Sequence, residues 1–135
     1  MATTNILFVC IGNSCRSPMA EGFANKLGEG QVRAWSAGLY PLGWIEVNTR
    51  LVMEERGINL DGQASKGVRD VPLDQMDMVV TMGSEVLCDL PAGHEVRLVC
   101  WAIPDPFGGS LDRYRAVRDL IEAKVRKLLV ELSRQ

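Results

Sequence analysis

Apolar residues in this chain follow two spacings in turn. Asn5-Ile6-Leu7-Phe8-Val9 is a short apolar run, which predicts a buried strand. From Pro18 the spacing lengthens: Met19, Ala20, Phe23, Ala24 and Leu27 share one helical face. Pro18 starts that helix, Ser17 is placed as its N-cap and Gly28 as its stop. Gln31 to Ser36 alternates and predicts a second strand, and Ala37 to Gly43 a loop. Glu46 to Arg56 predicts a helix with Val47, Leu51 and Val52 near one face, closed by Gly57. Ile58 to Val71 is mixed and predicts loops with one turn; Pro72 opens a short helix through Gln75. Met76 to Met82 is apolar enough for a strand buried on both faces. Ser84 to Leu90 predicts a short helix and Val96 to Trp101 a fourth strand. The last helix spans about Leu111 to Leu132, with Leu111, Tyr114, Val117, Ile121, Val125, Leu128 and Leu132 at helical spacing.

Strands alternating with helices predict an α/β fold on a parallel sheet with right-handed crossovers. Ligands bind such sheets beyond the carboxyl ends of the strands. The first strand runs into Cys10-Ile11-Gly12-Asn13-Ser14-Cys15-Arg16-Ser17-Pro18, a strand-to-helix loop. A helix N-terminus with inward N–H groups is an anion site. Gly12 allows a tight turn and close approach, and Asn13 tolerates a left-handed backbone. Arg16 offers a planar fork for two oxygens of a phosphate. Ile11, Gly12, Asn13, Ser14, Cys15 and Arg16 are therefore the candidate phosphate-binding residues. Cys10, aimed into N–H groups beside an arginine, is expected as a thiolate nucleophile.

At 135 residues the chain predicts one domain over 1–135, with 47% hydrophobic and 24% charged residues, ordinary for a globular protein. A net charge of −2 without a basic stripe excludes nucleic acid as the expected partner. The absence of a long apolar run or signal-peptide pattern excludes a membrane and predicts a cytoplasmic protein. The four cysteines, Cys10, Cys15, Cys88 and Cys100, form no C-x-x-C pair, so neither a zinc site nor a disulfide framework is expected. No metal or cofactor is implied.

The loop, followed by Met19-Ala20-Glu21-Gly22-Phe23, closely resembles the low-molecular-weight protein tyrosine phosphatase superfamily. That superfamily includes thioredoxin- and mycothiol-coupled arsenate reductases. Trp35-Ser36-Ala37-Gly38 is similar to its S-A-G segment, and Trp101 to Gly108 to its D-P acid loop. The resemblance covers nearly the whole chain. It implies a three-layer sandwich whose four-stranded parallel sheet has the order 2-1-3-4, with the phosphate loop after strand 1.

Phosphate transfer to cysteine needs an acid for the leaving oxygen and later a base for water. Asp105, held between Pro104 and Pro106 after the fourth strand, fits both. Ser17 is placed to support the Cys10 sulfur with its hydroxyl. Cys15 is either a packed thiol or a redox partner of Cys10. Tyr40, Trp44 and Phe107 are candidate walls of an aryl slot. Where many relatives carry a tyrosine after D-P, Phe107 excludes a regulatory phosphorylation. His94, the only histidine, is not expected to act as a base, so the cradle alone activates the thiol.

The reading favours a phosphatase acting on a phosphotyrosine protein or a small aryl phosphate. Its alternative is an arsenate reductase taking an oxyanion, with thioredoxin or a small thiol as reductant. In the thioredoxin-coupled relatives two more cysteines follow the third strand. Here Gly83 and Ser84 fall near the first of those places and only Cys88 remains. Pro18 also fits the phosphatases, whereas the tail through Val117-Arg118-Asp119 resembles the reductases. A phosphate-binding module without activity is the non-enzyme reading, opposed by the presence of both Cys10 and Asp105.

Overall fold

The computed structural model describes residues 3–83 and 96–134. Four strands form one parallel sheet in the order β2-β1-β3-β4: β1 (Thr4–Cys10), β2 (Val32–Gly38), β3 (Met78–Met82) and β4 (Arg97–Trp101). β1 pairs with β2 from Thr4↔Val32 to Cys10↔Gly38, and with β3 through Ile6↔Met78. β3 pairs with β4 from Met78↔Arg97 to Met82↔Trp101. Cys10, Gly38, Met82 and Trp101 therefore end their strands at one edge, where the first loop and the Asp105 loop meet.

The apolar run of β1 is explained by burial on both sides. Ile6, Phe8 and Cys10 face a core shared with helices α1 (Arg16–Leu27), α2 (Val47–Glu54) and α3 (Leu111–Ser133). Leu7 and Val9 face a smaller core with Ala37, Val71, Met76 and Val79. Among the described residues that second face is covered by Val68–Asp70 and Leu73–Gln75, two single turns of 3-10 helix.

Three expectations need correction. Ser17 is not the N-cap of α1: the helix starts at Arg16, Cys15 holds the cap position without a side-chain bond, and Ser17 sits inside the first turn. α2 is shorter than 46–56 and buries Thr49, Val52 and Met53, leaving Val47 and Leu51 exposed. Its inward face is thus set by contact with α3 rather than by its most apolar residues. β2 runs on to Gly38, because Gly38 pairs with Cys10. The helix expected over 84–90, with Cys88, and the loop of His94 lie outside the described residues.

Buried Arg118 of α3 holds α2 in place. It donates to the Val52 carbonyl at 3.0 Å and pairs with Glu55, which Arg115 also clasps at 2.8 Å. These hydrogen bonds hold the Glu55 carboxyl down to about 2. Ser110 caps α3 by accepting from the Arg113 N–H. No helix among the described residues is long and apolar enough to cross a membrane.

Candidate active site

The loop after β1 is held from outside by its carbonyls. Those of Cys10, Ile11 and Gly12 accept from the N–H groups of Leu39, Tyr40 and Leu42 at 3.2, 2.8 and 3.0 Å. That of Ser14 accepts from the Glu46 N–H at 3.1 Å and the Thr49 hydroxyl at 3.2 Å. A trans peptide points its C=O and the following N–H in opposite directions. The N–H groups of Ile11, Gly12, Asn13 and Cys15 are thereby turned to the loop's inner side. No acceptor among the described residues takes any N–H from Ile11 to Cys15. The Ser14 hydroxyl is also buried without a partner. Donors left without a protein acceptor on the wall of a cavity favour an anion within the ring.

Asn13 sets the turn. Its φ is 47°, the one left-handed non-glycine among the described residues, so it and not Gly12 supplies the unusual backbone. Gly12 instead lies under Leu42: a Cβ there would stand 3.0 Å from the Leu42 Cγ. The Lys66 N–H donates to Asn13 Oδ1 at 2.8 Å, which fixes the orientation of the amide. Asn13 Nδ2 then donates to the hydroxyls of Ser17 and Ser36, both at 2.9 Å. The Ser36 hydroxyl donates to Glu21 at 2.6 Å, and Glu21 stands 3.7 Å from the Lys66 ammonium. Burial pushes the Glu21 carboxyl up, against Ser36 and Lys66, which pull it down.

Cys10 Sγ lies 2.9 Å from the Ser17 hydroxyl. Because Asn13 occupies that oxygen as a donor, the hydroxyl proton is directed at the sulfur. Buried Arg16 donates to the Ile103 carbonyl at 3.0 Å, and its second Nη is 3.7 Å from the Asp105 carboxylate. Asp105 is half exposed, and its other oxygen accepts from the Phe107 N–H at 3.0 Å. The thiol, the arginine and the carboxylate are thus gathered on one cavity.

That cavity holds about 200 Å³ and is lined by Cys10, Ile11, Gly12, Ser14, Cys15, Arg16, Leu42, Asp105 and Phe107. Of the three expected slot residues only Phe107 lines it. Tyr40 and Trp44 are 76% and 55% exposed and are not in its lining, although they flank Leu42 in the chain. Trp44 donates its indole N–H to Glu46 at 2.7 Å. Leu42, between them in sequence, takes the wall instead. Cys15 lines the cavity but its thiol points to the buried Tyr114 hydroxyl at 3.7 Å. Burial raises Cys15 to about 11, so it is a thiol at neutral pH. Cys100 is free and exposed on β4.

Leu42, Ser36, Glu21, Lys66, Ile103 and Tyr114 were given no part in the site by the sequence, although Glu21 and Ile103 lie in the resembling segments and Tyr114 in the α3 stripe. The S-A-G resemblance passed over Ser36 without giving it a part. The others are brought to the loop or its supports only through folding.

The chain matches the profile described as "Low molecular weight phosphotyrosine protein phosphatase" over residues 5–135. It is 36% identical over 131 residues to the "Glutaredoxin arsenate reductase" of Synechocystis sp., covering 95% of this chain and 98% of that protein. It is 30% identical to the "Low molecular weight protein-tyrosine-phosphatase YfkJ" of Bacillus subtilis, covering 97% of each. A solved structure described as "An arsenate reductase in the phosphate binding state" superposes with a TM-score of 0.85. It shares 33% identity and covers 96% of this chain and 99% of that one.

Proposed function

The chain belongs to the low molecular weight phosphotyrosine protein phosphatase family, and from that premise we propose that it is an arsenate reductase working through Cys10. The carrying observation is the shape of the site. The ring of N–H groups and Arg16 suits a tetrahedral oxyanion, while the aromatic slot an aryl phosphate needs lacks Tyr40 and Trp44. The arsenate reductases among the relatives support the same reading.

The Cys10 thiolate attacks arsenic(V), and Asp105 protonates the oxygen that leaves as water. The N–H ring and Arg16 hold the negative oxygens throughout. A second thiolate then attacks Cys10 Sγ. A disulfide forms, the S–As bond breaks, and its electron pair stays on arsenic, which departs as arsenite. Two thiols are oxidised for one arsenic reduced, and a further thiol restores Cys10 by exchange. Cys15 is ill suited to this resolving step, being a thiol at neutral pH and turned to Tyr114. The resolving thiol is taken to be Cys88 or a small cytosolic thiol such as glutathione. Ser17, hydrogen-bonded to Cys10 Sγ, stabilises it as the attacking thiolate and again when thiol exchange releases it.

Asp105 beside Arg16 favours one second reading, hydrolysis of phosphate monoesters through a phosphocysteine, with Asp105 as acid and then base. The test sets both reactions side by side for wild type, Cys10→Ser and Cys88→Ser. Arsenate-dependent thiol oxidation is followed with glutathione and glutaredoxin or with thioredoxin, and hydrolysis with 4-nitrophenyl phosphate. The reductase reading expects arsenite formation lost in Cys10→Ser. Rapid ester hydrolysis with no arsenite from any thiol would replace it by the phosphatase reading. Turnover of neither, with phosphate still bound, would leave a binding module.

A further inference from the structure

A second cavity of about 200 Å³ lies away from the Cys10 loop, between the edge strand β4 and the C-terminal half of α3. Arg97 stands on one side and Lys124 and Lys127 on the other, with Glu131 the only carboxylate among the described lining residues. Val99, Trp101 and Leu128 form an apolar floor, and Trp101 is packed against Phe8 from beneath, ring centres 5.7 Å apart. Trp101 and Leu128 are both buried, so the floor is part of the core and offers an indole edge and aliphatic carbon to the recess.

Arg115, Arg118 and Arg126 are each paired with a carboxylate. Among the described residues the side chains of Arg97, Lys124 and Lys127 make no ion pair and no hydrogen bond. Arg113, at the start of α3, is also without an ion pair among the described residues, but only here do three such cations line one cavity. The chain as a whole carries −2, yet this recess gathers three cations against one carboxylate. An unpaired cationic rim over an apolar floor matches a molecule with an anionic end and a flat body. The rim steers the charge and the floor takes the ring.

We propose that the β4–α3 recess is a second binding site, for a small aromatic anion with a carboxylate or phosphate on a flat ring. It is separate from the oxyanion cradle, since among the described residues the two cavities share no lining residue. The recess therefore binds whether the cradle is empty or filled.

The test is a titration of the ¹⁵N-labelled full chain with salicylate, followed by amide and indole N–H shifts. Saturating inorganic phosphate fills the cradle, and the planar carboxylate of the probe does not copy a tetrahedral oxyanion. Shifts should group on residues 97–101 and 124–131 and include the Trp101 indole. The Arg97→Ala/Lys127→Ala variant should raise Kd about tenfold, as loss of two exposed charge contacts implies. Lys124→Glu should weaken binding as well. Benzyl alcohol, with the ring alone, and sulfate, with charge alone, should each bind more weakly than salicylate. Shifts that instead group on residues 10–17, scatter over the surface, or are unchanged by the double variant would overturn the proposal.

Discussion

Asn13→Ala is the sharpest test of how the oxyanion loop is held. The change removes three hydrogen bonds: those to Ser17 and Ser36 at 2.9 Å, and that from the Lys66 N–H at 2.8 Å. At about 1 kcal/mol net for each bond, the loss is about 3 kcal/mol. Alanine held at φ 47° adds roughly 1 kcal/mol that asparagine largely escapes. The expected destabilisation is about 4 kcal/mol, a large share of the 5–15 kcal/mol typical of a domain, yet small enough to leave it folded. Urea unfolding measures it, in phosphate-free buffer, because an anion bound only to the native state adds stability of its own. The urea dependence should keep its slope while the midpoint falls. Asn13→Asp separates the two functions of the side chain. It keeps the acceptor for Lys66 but turns the Ser17 proton toward the new carboxylate and away from Cys10, so it should lose activity while losing less stability than alanine. A loss below about 1 kcal/mol for alanine, or full activity for aspartate, would refute the account of Asn13 as the hub.

Four further outcomes are expected. Arg16→Lys should lower turnover by roughly 10²–10³-fold in steady-state kinetics, since a point charge cannot replace a fork aimed by Ile103. Asp105→Asn should slow poor leaving groups more than good ones across a series of aryl phosphates; equal losses would argue against an acid role. Gly38→Ala would set a Cβ 2.6 Å from the Ile11 carbonyl and 2.8 Å from the Asn13 nitrogen, both backbone. The loop must then shift, costing about 1–3 kcal/mol and weakening the thermal protection that phosphate confers. For Cys15 the folded chain raises the thiol from 9.0 to about 11, so its contribution is complete below pH 9 and is lost as pH rises through 11. That displacement corresponds to roughly 2–3 kcal/mol, and Cys15→Ala should flatten the alkaline fall in stability measured by urea unfolding between pH 8 and 11.

The strands and the loop were legible because local spacing carries them: a doubly buried strand must be apolar throughout, and Cys10 to Pro18 is contiguous; the strand order came from the family resemblance alone. Ser17 was misplaced because a cap position and an inward-facing first-turn position look alike in sequence. Only the packing of Asn13 decides between them. Tyr40 and Trp44 were expected in the slot because they are aromatic, whereas the bend of their loop presents the smaller Leu42. Glu21 and Lys66 lie 45 residues apart and meet only through the fold. Val47 and Leu51 misled for a similar reason: an apolar pattern reports a buried face only where a partner covers it.

The anchoring of the loop carbonyls by Leu39, Tyr40, Leu42, Glu46 and Thr49 bears on transplantation. The stretch from Cys10 to Arg16, grafted onto another strand-to-helix junction, would carry its nucleophile and its arginine but not its shape. Without the segment from Gly38 to Thr49 as a mould, its carbonyls would turn to solvent and its N–H groups would no longer converge. The transferable unit is therefore the first strand, helix and second strand together with that segment, roughly the first fifty residues, plus Lys66 to seat Asn13.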